Sequence, residues 1–192
     1  MMESNSIVSW TDYLKILQTF ETRLVHGLKD LGILDICKNL SIDHACIRFS
    51  NSDQVNALRE ELRDLGQEIS SAQVNGREIV IVQLHEPIKI GHWQVKGLEL
   101  PYPKKIHSFD DGWEHVEFVL PDAMNTIEGM REAFLGKFGG LELQTLKADY
   151  HYKEDAPHAD SDQLPNPTIA IKINGIGFKF HANSIQDVVS SG

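Results

Sequence analysis

Two stretches of this chain open on the same pair of side chains and lead into the same order of elements. Asp43-His44-Ala-Cys-Ile47 and Glu114-His115-Val-Glu-Phe118 both read acid, histidine, two variable residues and a large apolar residue, with the histidines 71 residues apart. Each begins a strand after a loop. Behind the first, residues 52–65 have the polar start and the Gly66 stop of a helix. Residues 68–74 and 77–84 follow as strands around Asn75-Gly76, a dipeptide suited to the positive φ of a type I′ turn. Residues 92–100 supply another strand, ended by Pro101. Behind the second, residues 122–137 read as helix up to Gly139-Gly140, residues 141–148 as strand, and residues 168–173 and 176–181 as a hairpin around Asn174-Gly175. Recurrence of one supersecondary unit signals two stacked copies of it. The expectation is therefore an α+β chain of two βαβββ modules, residues 41–111 and 112–192.

Residues 1–40 stand apart as an N-terminal helical segment. Leu14, Ile16, Leu17, Phe20, Leu24 and Leu28 give residues 10–40 an apolar stripe, broken at Gly32, that suits packing on a core and carries no chemistry. Residues 149–166, with His151, His158 and several acids and prolines, read as a long loop of the kind that forms lids or excursions.

Charge and composition remove several classes of function. Acidic residues outnumber basic ones 28 to 18, giving a net charge of −10. With no basic run, the chain lacks the Lys and Arg that displace counterions from nucleic acid or adhere to anionic lipid. No stretch offers the ~20 apolar residues of a membrane helix. Residues 1–10 carry Glu3 and polar residues where a signal peptide is basic and then apolar. Cys37 and Cys46 are the only cysteines, without a C-x-x-C pair. Neither a zinc ribbon nor a disulfide framework is available, and a cytoplasmic location is expected.

The histidines carry the functional signal. Alternate residues of a strand share a face, so His115 travels with Trp113 and Glu117, and His44 with Cys46 and Arg48. Imidazole and carboxylate together are the ligand set of divalent Mn, Fe, Co, Ni and Zn. One histidine from each strand plus further ligands makes an open site. Glu99 and His92 are further candidates, but a regular strand brings only one of them inward unless Gly97 marks a bulge. His181 ends the last strand on the face it shares with Lys179, and His85 is a weaker candidate of the same kind. Phosphate-binding loops, nucleophile elbows, dinucleotide fingerprints and zincin helix patterns are all absent from the sequence.

Asp43-His44, Asn75-Gly-Arg77, Leu84-His-Glu-Pro87, His92-Trp-Gln94, Glu99-Leu-Pro101, Gly112-Trp-Glu-His115, Val119-Leu-Pro121, Leu164-Pro-Asn-Pro-Thr168 and Lys179-Phe-His181 resemble the YecM family of bacterial proteins. That family is similar in fold to the vicinal oxygen chelate superfamily of glyoxalase I, extradiol dioxygenases, methylmalonyl-CoA epimerase and bleomycin-resistance proteins. The resemblance implies two βαβββ modules forming a curled mixed sheet around a cavity. It also implies metal ligands from the first and last strands of each module: His44, Glu99, His115 and a group near His181. The last position departs from the superfamily's usual Glu, because this chain offers Lys179 or His181, and protonated lysine binds no metal.

Two functions follow from that resemblance. One is an isomerase, lyase or dioxygenase-type enzyme that uses a divalent ion (Zn, Ni, Fe, Mn or Co) to hold neighbouring oxygens of a small substrate. In it Glu117 is base or ligand-orienting partner and Arg48 meets an anionic group. The other is a metal-free module that sequesters a small ligand. His92, Trp93 and Trp113 are expected to wall the pocket, with Tyr102 joining Trp93 and Trp113 in the metal-free module. A structural or protein-binding role is a third alternative, and the chain is a monomer or homodimer.

Overall fold

The computed structural model describes residues 9–104, 111–139, 141–157 and 164–190. A long first helix, α1 (Trp10–Asp30), starts at a capping box in which Ser9 and Asp12 satisfy each other's backbone N–H groups. Gly32 lies at φ 70°, a left-handed residue that ends it. A single turn, α2 (Leu34–Cys37), follows. The remaining elements are β1 (Ile42–Arg48), α3 (Ser52–Leu62), β2 (Gly66–Val74), β3 (Arg77–Ile90), β4 (Trp93–Pro101), β5 (Gly112–Val119), α4 (Ile127–Lys137), α5 (Leu143–Asp149), β6 (His151–Asp155), β7 (Thr168–Ile173), β8 (Ile176–His181) and α6 (Ile185–Ser190).

All eight strands form one mixed sheet in the order β2-β3-β4-β1-β5-β8-β7-β6. Its two halves mirror each other. In each, a first strand pairs in parallel with the last strand of its own βαβββ set, β1 with β4 and β5 with β8. The halves join where β1 and β5 pair antiparallel. Both expected hairpin turns are present, with φ of 51° and 75° at Asn75-Gly76 and 49° and 79° at Asn174-Gly175.

Helices α1, α3 and α4 pack on one face. Tyr13, Leu17, Phe20, Leu24 and Leu28 of α1 are buried, whereas Leu14 and Ile16 are exposed, so the buried stripe is narrower than the apolar pattern suggested. Gly27 lets α1 close on the sheet, since a Cβ there would meet the Phe178 ring at 2.7 Å. Phe118, Phe134, Phe138 and Phe180 form an aromatic cluster, with the Phe118 and Phe180 rings stacked at 5.4 Å. The opposite face encloses a cavity of about 680 Å³. Both ends of the sheet, β2–β3 and β6–β7, contribute to its lining, and Ile185 and Val188 of α6 reach it as well.

Two expectations are corrected here. Residues 141–148 were expected as strand, but Leu143–Asp149 is helix: Leu143 and Leu146, three apart, point one way, and Leu146 is buried. The loop 149–166 begins as β6, an edge strand pairing with β7. Its alternation of half-buried and exposed polar residues gives no apolar signal. His158 lies outside the described residues, as do residues 1–8 and Gly140.

Candidate metal centre

The two acid-histidine pairs sit at two β-bulges. Between β1 and β5, Ile42 faces Phe118 and His44 faces Glu117, so Asp43 is an extra residue on β1. Further along, Cys46 faces His115 and Ile47 faces Trp113, so Glu114 is an extra residue on β5. A bulge turns its extra residue out of the regular alternation. Each acid thereby reaches the Nδ1 of the histidine that follows it: Asp43 Oδ2 to His44 at 2.8 Å, and Glu114 Oε2 to His115 at 3.4 Å.

Glycine makes room for each ring. Gly97 of β4 is the register partner of His44, and Gly177 of β8 is the partner of His115. A Cβ at Gly97 would lie 2.6 Å from both the Asp43 carbonyl and His44 Cβ, and one at Gly177 would lie 2.7 Å from His115 Cβ. Two residues on, the halves diverge. β4 brings in Glu99, whereas β8 brings in Lys179. Gly97 therefore acts through close approach and marks no bulge against β1, and His92 is left exposed in the turn before β4.

These side chains converge. His44 Nε2 lies 3.4 Å from Glu99 Oε2 and 3.3 Å from Glu117 Oε1. His115 Nε2 lies 3.0 Å from Glu117 Oε1 and 4.0 Å from Glu99 Oε1. Lys179 Nζ donates to Glu117 Oε1 at 2.6 Å. All four His and Glu residues are at most 6% exposed. Each of the two imidazoles thus has carboxylates at both ring nitrogens, whereas a neutral ring carries one proton. With Nδ1 donating to Asp43, His44 Nε2 is buried, makes no hydrogen bond among the described residues, and aims its lone pair at two carboxylates. Only a second proton or a bound cation resolves that arrangement. Ligands around a tetrahedral ion with bonds of ~2.1 Å lie ~3.4 Å apart. The distances from His44 Nε2 to both carboxylates meet that condition, so His44, Glu99 and Glu117 form one group of nitrogen and oxygen donors suited to a borderline divalent metal, while His115 groups separately with Cys46 and Glu99.

Electrostatics tie the cluster together. Burial alone would lower the His44 pKa, but the Glu117 and Asp43 carboxylates hold it well above the ordinary value. Burial alone would raise Glu117, but the Lys179 ammonium and His44 hold it well below the carboxylate range. Glu99 is held down in the same way against its burial, chiefly by Lys179 and His44.

The other expected residues fall into two groups. His181 is fully buried beside the cluster, with Nε2 3.7 Å from Asp43 Oδ2 and from Glu117 Oε2, and is tied to Asn166 and the Asn183 carbonyl. Arg48 lines the cavity with its guanidinium 2.6 Å from Glu114. The expected pocket walls are corrected: His92, Trp93 and Trp113 do not line the cavity. The Glu114 bulge turns Trp113 to the helix side, between Trp10 and Phe20, where its indole N–H donates to the Tyr13 carbonyl. Trp93 packs on Phe118 and donates to the Cys37 and Leu40 carbonyls. A buried indole needs such an acceptor, and here the helical segment supplies it. The acids Asp43 and Glu114 were legible only as half of a repeated motif; Asp43 forms a ligand-type group with His44 and His181, and Cys46 forms another with Glu99 and His115.

A duplicated βαβββ arrangement in one eight-stranded mixed sheet, with buried histidines and carboxylates on one face, defines the class: an α+β fold with a candidate metal centre. Within it, the chain belongs to the YecM family, whose model, described as YecM protein, matches residues 9–192. It is 32% identical to Protein YecM of Escherichia coli (strain K12) over 94% of both chains. It is 31% identical to a protein of Haemophilus influenzae (strain ATCC 51907 / DSM 11121 / KW20 / Rd) over 88% of both. It also resembles the solved structure of Protein EC4020, with TM-score 0.70 and 28% identity over 100% of this chain and 98% of that one. No helix among the described residues is long and apolar enough to cross a membrane.

Proposed function

We propose that His44, Glu99 and His115, with Glu117 closing the set, bind a divalent cation, and that the cavity serves a metal-dependent enzyme of isomerase, lyase or dioxygenase type. The substrate is a small molecule with neighbouring oxygens. The observation that carries this reading is the buried His44 Nε2, without a hydrogen bond and 3.3 and 3.4 Å from two carboxylates. A bound cation supplies Lewis acidity to a substrate oxygen. Asp43 and Glu114 fix the orientation of the two rings, as carboxylates behind metal-binding histidines do. Glu117 stays ionised under the Lys179 ammonium and accepts a hydrogen bond or a ligand contact at Oε1. Arg48, held by Glu114, borders the site where an anionic group of the substrate can lie.

Elemental analysis of untagged protein tests this. Stoichiometric Mn, Fe, Co, Ni or Zn is expected, and it is lost in His44→Ala and His115→Ala variants whose circular dichroism is unchanged. No metal after reconstitution with each of these ions overturns it. A second reading has its own observation. Lys179 already places a cation 2.6 Å from Glu117, and a doubly protonated His44 would satisfy its carboxylates without metal. The chain is then a metal-free small-ligand binder, and the same metal analysis separates the two.

A further inference from the structure

The cavity is not uniformly polar. On β3, Arg77, Ile79 and Ile81 point into it, while Glu78, between the first two, turns away to the Arg59 guanidinium of α3. On β2 their register partners Val74, Ala72 and Ser70 line the same wall. Ile81 is also the register partner of Glu99, so the wall begins at the candidate metal centre. It ends at Arg77, four residues along the strand, or ~13 Å at the rise of an extended chain. Arg77 is half-buried and has no carboxylate partner among the described residues. The other cations of the cavity are engaged: Arg48 and Lys172 by Glu114, Lys153 by Asp155, and Lys179 by Glu117. Five cationic side chains and four carboxylates line the cavity of a chain whose net charge is −10, so its lining is far less acidic than the molecule as a whole.

We propose that this cavity takes an elongated organic anion with an oxygen-bearing head at the His44–Glu99–His115 floor, an apolar body along β2 and β3, and a terminal carboxylate or similar anionic group on Arg77. The seat of the head rests on the cation reading above, whereas the Arg77 arm stands on the wall itself. Ile79 opposite Ala72 gives the body an apolar stretch between the Ser70–Ile81 pair and Arg77. A free guanidinium at its end offers the paired donors that suit a carboxylate. Spacing between floor and Arg77 then sets the preferred length.

Calorimetric titration with succinate, suberate and dodecanedioate, and with octanoate as the single-headed control, tests the arm. Wild type and Arg77→Ala are compared with and without added Zn²⁺. Wild type is expected to bind suberate more tightly than succinate. Arg77→Ala weakens suberate about tenfold, the scale of a lost charge-assisted bond, and octanoate less than about twofold. Ile79→Ser weakens both suberate and octanoate. An absence of dicarboxylate binding, a flat length profile, or an Arg77→Ala profile equal to wild type overturns the proposal. If the Arg77-dependent preference persists with no zinc dependence and no zinc bound, the cation reading fails and the arm stands.

Discussion

The two halves of the sheet are built on one plan and differ at one corner of the site. In each, a bulged acid holds the Nδ1 of the next histidine, and a glycine on the parallel neighbour admits its ring. In each, the flanking helix sends an arginine to an outer-strand glutamate, Arg59 to Glu68 and Arg131 to Glu154, each donating through Nε and Nη2. Yet the first half presents Cys46 and Glu99 where the second presents Glu117 and Lys179. Backbone register and close packing are repeated, while the sign of the charge is exchanged. The shared features are those that a shift of an ångström would destroy, and the divergent ones are side chains gathered at the buried candidate site. Scaffold and chemistry are thus separable here, residue by residue.

Making the halves alike at that corner should have the largest effect. Lys179→Glu leaves three buried carboxylates without their ammonium, and should cost about 4 kcal/mol in chemical denaturation of the metal-free protein. Added Mn²⁺ or Zn²⁺ should restore a large part of the thermal midpoint. No recovery would show that the corner does not take a cation. Next come the glycines. Gly97→Ala should cost about 3 kcal/mol, because its Cβ meets the Asp43 carbonyl, and Gly177→Ala about 2 kcal/mol, because its Cβ meets only a side chain. Equal or negligible costs would break the mirror argument. The acids should follow. Asp43→Asn removes the charge from the oxygen that accepts both the 2.8 Å bond from His44 and the 2.9 Å bond from the Ile185 amide, weakening the two together, and should cost about 2 kcal/mol. Glu114→Gln, with its longer contact to His115, should cost about 1 kcal/mol.

The smallest effect belongs to the outer arginine pairs. Arg131 holds the Glu154 carboxyl at about 2, below its ordinary value. A depressed pKa contributes stability that is present above the unfolded value near ~4.3 and is lost as pH falls towards the folded one. Acid titration of stability should therefore show a loss between about pH 4.5 and 2, of under about 1 kcal/mol, that is missing in Glu154→Gln. An unchanged acid limb in the variant would remove this pair from the account.

Much of this scaffold was readable in advance because its signals are local. Asn75-Gly76 and Asn174-Gly175 announce their turns through the positive φ they accept. His44 and His115 announce the duplicated strands through the acid before each. What escaped depends on distant pairing. A bulge at Glu114 is defined by the partner strand, so period-two reasoning put Trp113 on the wrong face. Leu141 and Leu143 suit a strand while Leu143 and Leu146 suit a helix, and burial of Leu146 against the rest of the chain decided for helix. The polar edge strand at His151–Asp155 exists because β7 offers its free edge, which nothing in those five residues reveals. Lys179 was visible as a departure from the family pattern, but its contact with Glu117 needed the register of β5 and β8.

The bond from the Ile185 amide to Asp43 spans 142 residues. A polypeptide emerging from the ribosome acquires its first imidazole early, but the carboxylate behind that ring gains its second donor only once the final helix has been made. Completion of the pocket floor is thereby tied to the docking of α6, and a substitution that unseats this helix also loosens the carboxylate behind His44.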